Sequence, residues 1–323
     1  REVEEWAYPK AFGASGSKGM ARLPIEETPV YEGNEKSRTG VQRFGAVGNG
    51  TIDDSRAIQK AINSGAKEIF FEPGRYLINE PVVIPAGVEH IDFQFSDLVA
   101  GPDLAGSEQE GFLIKGGDAT SPPLFLERLL AWEQWRGKHC TFTHASTRTI
   151  CFKDMQTQTL RFYQNSVTGA KVFFDNVATT AGARPGEHGH GRCAVSLIGQ
   201  KAWARQLNPE RGEPEILNDG SDLVVMGYKS EGKGVVVHTI NGGRSEIIGG
   251  VVNVGNTADT AFLAEDSELR LSTATHGWRA PAYFRTAIRH IRDGKTILLK
   301  AEDLPSRKFK KERGPQYMLP LYK

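Results

Sequence analysis

The chain repeats itself at a fixed step of 22 residues. Laid over one another, residues 149–157 (TICFKDMQT) and 171–179 (KVFFDNVAT) put Ile150 on Val172, Cys151 on Phe173, Phe152 on Phe174, Asp154 on Asn176 and Met155 on Val177. A further step puts Val195 on Phe173. A second register of the same period runs Trp203, Val225, Ile247, Leu269, and sets Gly227 on Gly249. Such a period, built from short apolar runs and turn residues, marks a solenoid of parallel strands. One coil cannot bury its inward side, and stacked coils share a core in which like residues lie on like. A leucine-rich horseshoe would show regular Leu and Asn signatures, which are missing, and a β-sandwich gives no fixed step. About 190 residues then make eight or nine coils.

Composition agrees. Glycine fills 36 of 323 positions, above the usual share of roughly 7%, as many tight turns require. A hydrophobic content of 39% excludes a disordered chain. No apolar run reaches the roughly 20 residues that span a bilayer, so membrane insertion is not expected. With 40 basic and 39 acidic side chains, no overall field draws the chain to nucleic acid. Cys140, Cys151 and Cys193 are too few for a disulfide scaffold. They read as buried thiols, or as one disulfide and one free thiol.

Residues 1–40 form an extended leader without period, with Trp6, Tyr8, Phe12 and Tyr31 available to pin it to a surface. Residues 41–300 form a single domain. Its clearest helix spans 53–64, with Asp53 or Asp54 as cap, Ala57, Ile58, Ala61 and Ile62 on one face, and Asn63-Ser64-Gly65 as stop. The stretch 124–135 fits helix or strand. Residues 301–323 form a tail with a basic cluster at 307–313 and an apolar end, 317–322, suited to docking back. The sequence begins at Arg1 rather than Met, as expected of a processed or trimmed chain.

The segment RFGAVGNGTIDDSRAIQKAI (43–62), followed by IFFEPGRYLI (69–78), resembles the opening module of the pectate-lyase superfamily, with Asn49 where Asp is common. The resemblance implies an all-β fold, a right-handed parallel β-helix whose N-terminal end is covered by helix 53–64. It also implies a secreted or periplasmic protein that acts on or binds polysaccharide. In that setting Asp53 and Asp54 belong to the cap and not to an active centre. The superfamily contains lyases, hydrolases, epimerases and tailspikes, so chemistry must be argued from a site.

Polygalacturonase-type members use several Asp residues and a Gly-His-Gly. Gly189-His190-Gly191 is present, but the nearest acidic offering one coil upstream is Asp175-Asn176, and the later Arg-x-Lys is missing. His190 therefore reads as a loop or substrate contact. His188 and His190 lack a third ligand for a metal site.

β-Elimination needs a uronate carboxylate neutralised, by Ca²⁺ on acidic ligands or by Arg, Lys, Asn and Gln donors, and a base to remove the adjacent proton. The segment 203–246 is rich in such groups. Lys229, His238, Glu231 and Arg205 are the catalytic candidates. Asn208, Arg244, Glu246, His190 and Trp203 are the substrate-binding ones. Ca²⁺ is an open cofactor. Trp132, Trp135 and Trp278 offer further rings for packing or sugar stacking. In the 22-residue register Lys229 lies on Leu207, and Glu231 lies between Pro209 and Asn253, which gives no acid ladder. Glu210, Glu231 and Glu246 remain loose candidates for hydrolysis. The leading expectation is a lyase, a hydrolase the second. The alternative is a non-catalytic, adhesin- or tailspike-like glycan binder. No heptad drives trimerisation, and the oligomeric state is open.

Overall fold

The computed structural model describes residues 10, 12–13, 23–33, 37–181, 193–277, 281–307 and 313–323. It is a parallel β-solenoid. One sheet stacks strands at Arg38–Gly40, Glu68–Phe70, His90–Asp92, Leu124–Glu127, Ile150–Gln158, Lys171–Thr180, Lys201–Glu210, Asp222–Gly232, Arg244–Val254 and Glu268–Gly277. The second sheet runs from Val82–Ile84 to Phe284–Arg292 and then to Lys295–Lys300. Among the described residues no helix is long and apolar enough to cross a membrane.

The predicted register between the two best-matched coils is the observed one: Ile150 pairs with Val172, Cys151 with Phe173, Phe152 with Phe174 and Met155 with Val177. Alternation sends Phe152 and Phe174 inward, where their rings stack at 5.5 Å and 9°. Cys151 and Phe173 point outward into a smaller apolar cluster. Elsewhere the step varies with loop length. Val195 lies on Tyr163, and Phe173 lies on Trp203, because a long connection intervenes after Thr180. Trp203 meets Val224 rather than Val225, and Ile247 meets Leu271 rather than Leu269. All three cysteines are buried and free.

From Ile150–Gln158 to Arg244–Val254 each long strand of the first sheet bends once. The bend residues Asp154, Asn176, Gln206, Gly227 and Gly249 all have φ between 52° and 77°. This left-handed region costs an ordinary L residue free energy, and Gly, Asn and Asp tolerate it best. The coincidence of Gly227 with Gly249 thus marks a corner of the coil. Just past it, Gly250 is required for another reason: a Cβ there would lie 2.5 Å from the Tyr228 carbonyl oxygen.

The N-terminal helix spans Ser55–Ile62, shorter than expected. Ile58, Ala61 and Ile62 are buried in the core. Gln59 behaves like a missing strand. Its side-chain amide accepts from the Val83 N–H at 2.7 Å and donates to the Val83 carbonyl at 2.9 Å, along the first strand of the second sheet. Asp54 is the N-cap residue, but its carboxylate bonds away from the helix, accepting from the Val47 and Gly48 N–H groups at 2.6 and 3.1 Å. Asp53 accepts from the Ser55 N–H at 3.0 Å. The stretch 124–135 is strand at Leu124–Glu127 and Leu130–Ala131, then a 3₁₀ turn.

At the other end, Lys295–Lys300 pairs antiparallel with Phe284–Arg292, and Gln316–Tyr322 antiparallel with Glu268–Gly277. The apolar terminus forms the antiparallel strand Gln316–Tyr322 against the last long strand of the first sheet. Phe12 pairs with Tyr322, so part of the leader meets this same end. Lys308, Lys310 and Lys311 of the basic cluster, Trp6 and Tyr8 lie outside the described residues.

Candidate functional site

The leader engages several of the candidates. Residues 23–31 run across the outside of the first sheet, perpendicular to its strands. Glu246 accepts from the Leu23 N–H at 3.0 Å. The Trp203 indole N–H donates to the Pro24 carbonyl at 2.9 Å. Arg205 donates to the Glu26 carbonyl at 3.0 Å and to the Thr28 hydroxyl at 3.1 Å, and Lys171 pairs with Glu26 at 2.6 Å. Tyr31 rests against His90 and Phe125, with ring centroids 4.3 and 5.3 Å away. Beneath this strap Phe173 and Trp203 stack at 4.9 Å. Arg205, Trp203 and Glu246 are thus committed to the chain's own leader, as outward residues under a covering segment must be when their polar groups need partners.

Lys229 has a different setting. It lies just after the bend, on the segment that faces a groove of about 430 Å³. Asn176, Gln206 and Gly227 line the groove at the corner, and Asn208 and Lys229 line it beyond. Leu207 pairs with Tyr228, not with Lys229 as the strict period requires. This one-residue difference brings Glu231 alongside Glu210. The Lys229 ammonium bonds to both carboxylates, reaching Glu231 at 2.9 Å. Asn208 donates to Glu210 at 3.1 Å and Asn253 to Glu231 at 3.3 Å. The row continues to His276, which pairs with Asn253. The acid pair expected to be absent is therefore present.

Burial alone would lower the Lys229 ammonium, but its bonds to Glu210 and Glu231 outweigh burial and hold it above its ordinary value. In this position Lys229 is held as a cation between the two carboxylates.

The other candidates are dispersed. His238 lies on the second sheet between Leu217 and Leu263, and its Nε2 is 2.5 Å from Glu265. Val236, two residues earlier, is buried in the core. Arg244 forms a two-pronged bond to Asp222 on the preceding coil, both contacts 2.6 Å. Trp135 is fully buried. His190 and Trp278 lie outside the described residues. Among the described residues no group of three or more His, Cys, Asp or Glu could hold a metal ion. Glu210 and Glu231 converge on Lys229 at the margin of the groove rather than in its lining.

Residues 39–91 match the family described as rhamnogalacturonase A/epimerase, pectate lyase-like. They hold the bent opening turn, the helix and the first stacked strands. The match is confined to this opening module, and the parallel β-solenoid agrees with a pectate lyase-like fold. A glucan 1,3-beta-glucosidase of Cochliobolus carbonum is 28% identical over 103 residues, which are 30% of this chain and 13% of that protein. The chain therefore spans only a small part of that relative. Among solved structures, the surface protein and adhesin PfbA of Streptococcus pneumoniae is 12% identical with a TM-score of 0.44, over 71% of this chain and 84% of that one. ORF18 of Geobacillus virus E2 is 12% identical with a TM-score of 0.41, over 86% and 68%.

Proposed function

We propose that this protein hydrolyses a polysaccharide bound in the groove beside Lys229, with Glu210 and Glu231 as its two carboxyl groups. The observation that carries this reading is their convergence, from adjacent coils, on one ammonium. Glycosidases need a pair of carboxyl groups flanking the scissile bond, about 5–5.5 Å apart when the anomeric configuration is retained. Neighbouring strands are about 4.8 Å apart, so an adjacent-coil pair suits retention rather than inversion.

Glu210 is gripped through one oxygen by Lys229 and Asn208, and its side chain is 14% exposed against 28% for Glu231. The more fixed Glu210 suits the nucleophile, and the more exposed Glu231 suits the acid that protonates the departing oxygen and later activates water. Asn176, Gln206 and Asn208 supply planar amide groups for sugar hydroxyls. A polymer substrate also favours a secreted or periplasmic location. Elimination is the weaker reading, because Lys229 is held as a cation and His238 sits on the other sheet.

The test is incubation with neutral and acidic polysaccharides, following reducing ends and the ultraviolet absorbance of unsaturated uronate. Hydrolysis yields reducing ends without that absorbance, and Glu210→Gln and Glu231→Gln each abolish them. Absorbance would favour a lyase. Binding without either signal would favour the second reading, a non-catalytic glycan binder, which the pairing of Lys229 with the two carboxylates also accommodates.

A further inference from the structure

The bend that borders the groove does not end at Asn176. Toward the N-terminal end of the solenoid it continues through Asp154 and Arg128, whose φ values are 52° and 58°. Asn176 donates to Asp154 at 2.7 Å, and Arg128 is tied to Asp92 through two bonds, one of them 2.9 Å. In the preceding coil the bend is made by Gln94 and Phe95, with φ of 49° and 56°. The Phe95 N–H donates to the Arg128 carbonyl at 2.6 Å, which fixes the two bends side by side.

Phe95 is anomalous there. A phenylalanine in the left-handed region is strained, and later coils place Gly227 and Gly249 at their bends. Its ring gains little burial in return: Phe95 is 58% exposed, whereas its neighbour Phe93 is fully buried and packs on Phe71 and Phe112. The fold thus holds a large apolar ring in solvent, at a backbone position suited to glycine. It does so on the corner that carries Arg128, Asp154, Asn176 and Gln206 toward the groove.

We propose that Phe95 is a stacking platform for a sugar ring of the same polysaccharide, a distal subsite about three coils, or about 14 Å, from the groove. Aromatic faces stack on the apolar faces of sugar rings, and the intervening planar polar side chains suit the hydroxyls of a chain lying along the corner. The inference rests on the glycan reading of the groove. It adds that affinity depends on chain length.

The experiment compares wild type, Phe95→Gly, Phe95→Trp and Lys229→Ala, titrated with a β-1,3-glucan and a polygalacturonate and with the disaccharide of each. Phe95→Gly suits the left-handed backbone, so it should fold with an unchanged or raised melting temperature. It should weaken binding of the polymer about three- to tenfold and leave the disaccharide unaffected, while Phe95→Trp retains polymer affinity. If Phe95→Gly binds polymer like wild type while Lys229→Ala is weakened, the distal subsite is overturned and the groove stands. If Phe95→Gly loses polymer and disaccharide equally, the subsite is also overturned. If wild type binds neither polymer, both readings fall.

Discussion

Replacing Glu215 by Gln should stabilise the protein at neutral pH and leave it nearly unchanged in acid. Glu215 is fully buried, and burial pushes its carboxyl well above the ordinary carboxylate range. Its Oε2 accepts from the Tyr228 hydroxyl at 2.6 Å and from the Ser230 hydroxyl. Tyr228 is pushed up as well, first by burial and then by Glu215, so it keeps its proton and donates. The native state therefore binds a proton at Glu215 over a pH range in which the unfolded chain, with a carboxyl near 4.5, has released it. Stability then falls as pH rises, because the native state binds more protons than the unfolded one. The contribution is complete below the unfolded pKa and is lost on the way up to the folded pKa, by about 1.4 kcal/mol per pH unit. Gln has the same shape and no charge. As pH rises from the unfolded carboxyl's range toward the folded one, the stability difference between variant and wild type should widen in favour of the variant, by at most about 1.4 kcal/mol per pH unit. Denaturant unfolding at a series of pH values measures this directly. Parallel pH profiles for the two proteins would refute a protonated, buried Glu215.

Trp203→Ala removes the stacked ring and the bond to Pro24, which should cost about 3–5 kcal/mol locally. Limited proteolysis should then cut within residues 23–31 much faster than in wild type while the solenoid persists. Gly250→Ala places a Cβ against the Tyr228 carbonyl, and its melting temperature should drop by more than that of an alanine at open, left-handed Gly249. Lys229→Met keeps the apolar stem but leaves Glu210 and Glu231 facing each other without their shared cation. Turnover should fall about a hundredfold with secondary structure unchanged by circular dichroism.

The parts of the fold legible in the sequence are those where a local rule repeats. Ile150 and Val172 reveal a common register because both point into the core on strands of like length. Gly227 and Gly249 mark the bend because both serve a left-handed corner. The opening module, with its helix and Pro-Gly turn, is local in sequence and was readable as a resemblance. The site was less legible because connections between coils vary by a residue or two. A strict 22-residue step puts Pro209 beside Glu231, whereas the real step puts Glu210 there and creates the acid pair. The strap was invisible for a different reason. Trp203 and Pro24 are separated by 179 residues, and an aperiodic leader carries no signal of the surface it will cover. The sequence marks Arg205, Trp203 and Glu246 as chemistry-bearing side chains but not the partners they find within the chain.

The most direct measurement is a crystal structure of Glu231→Gln grown with an oligosaccharide of the polymer that wild type cleaves. The account predicts a sugar ring seated between Glu210 and residue 231, beside Lys229 and Asn208. An oligosaccharide lying instead on the second sheet at His238, with the groove empty, would contradict it.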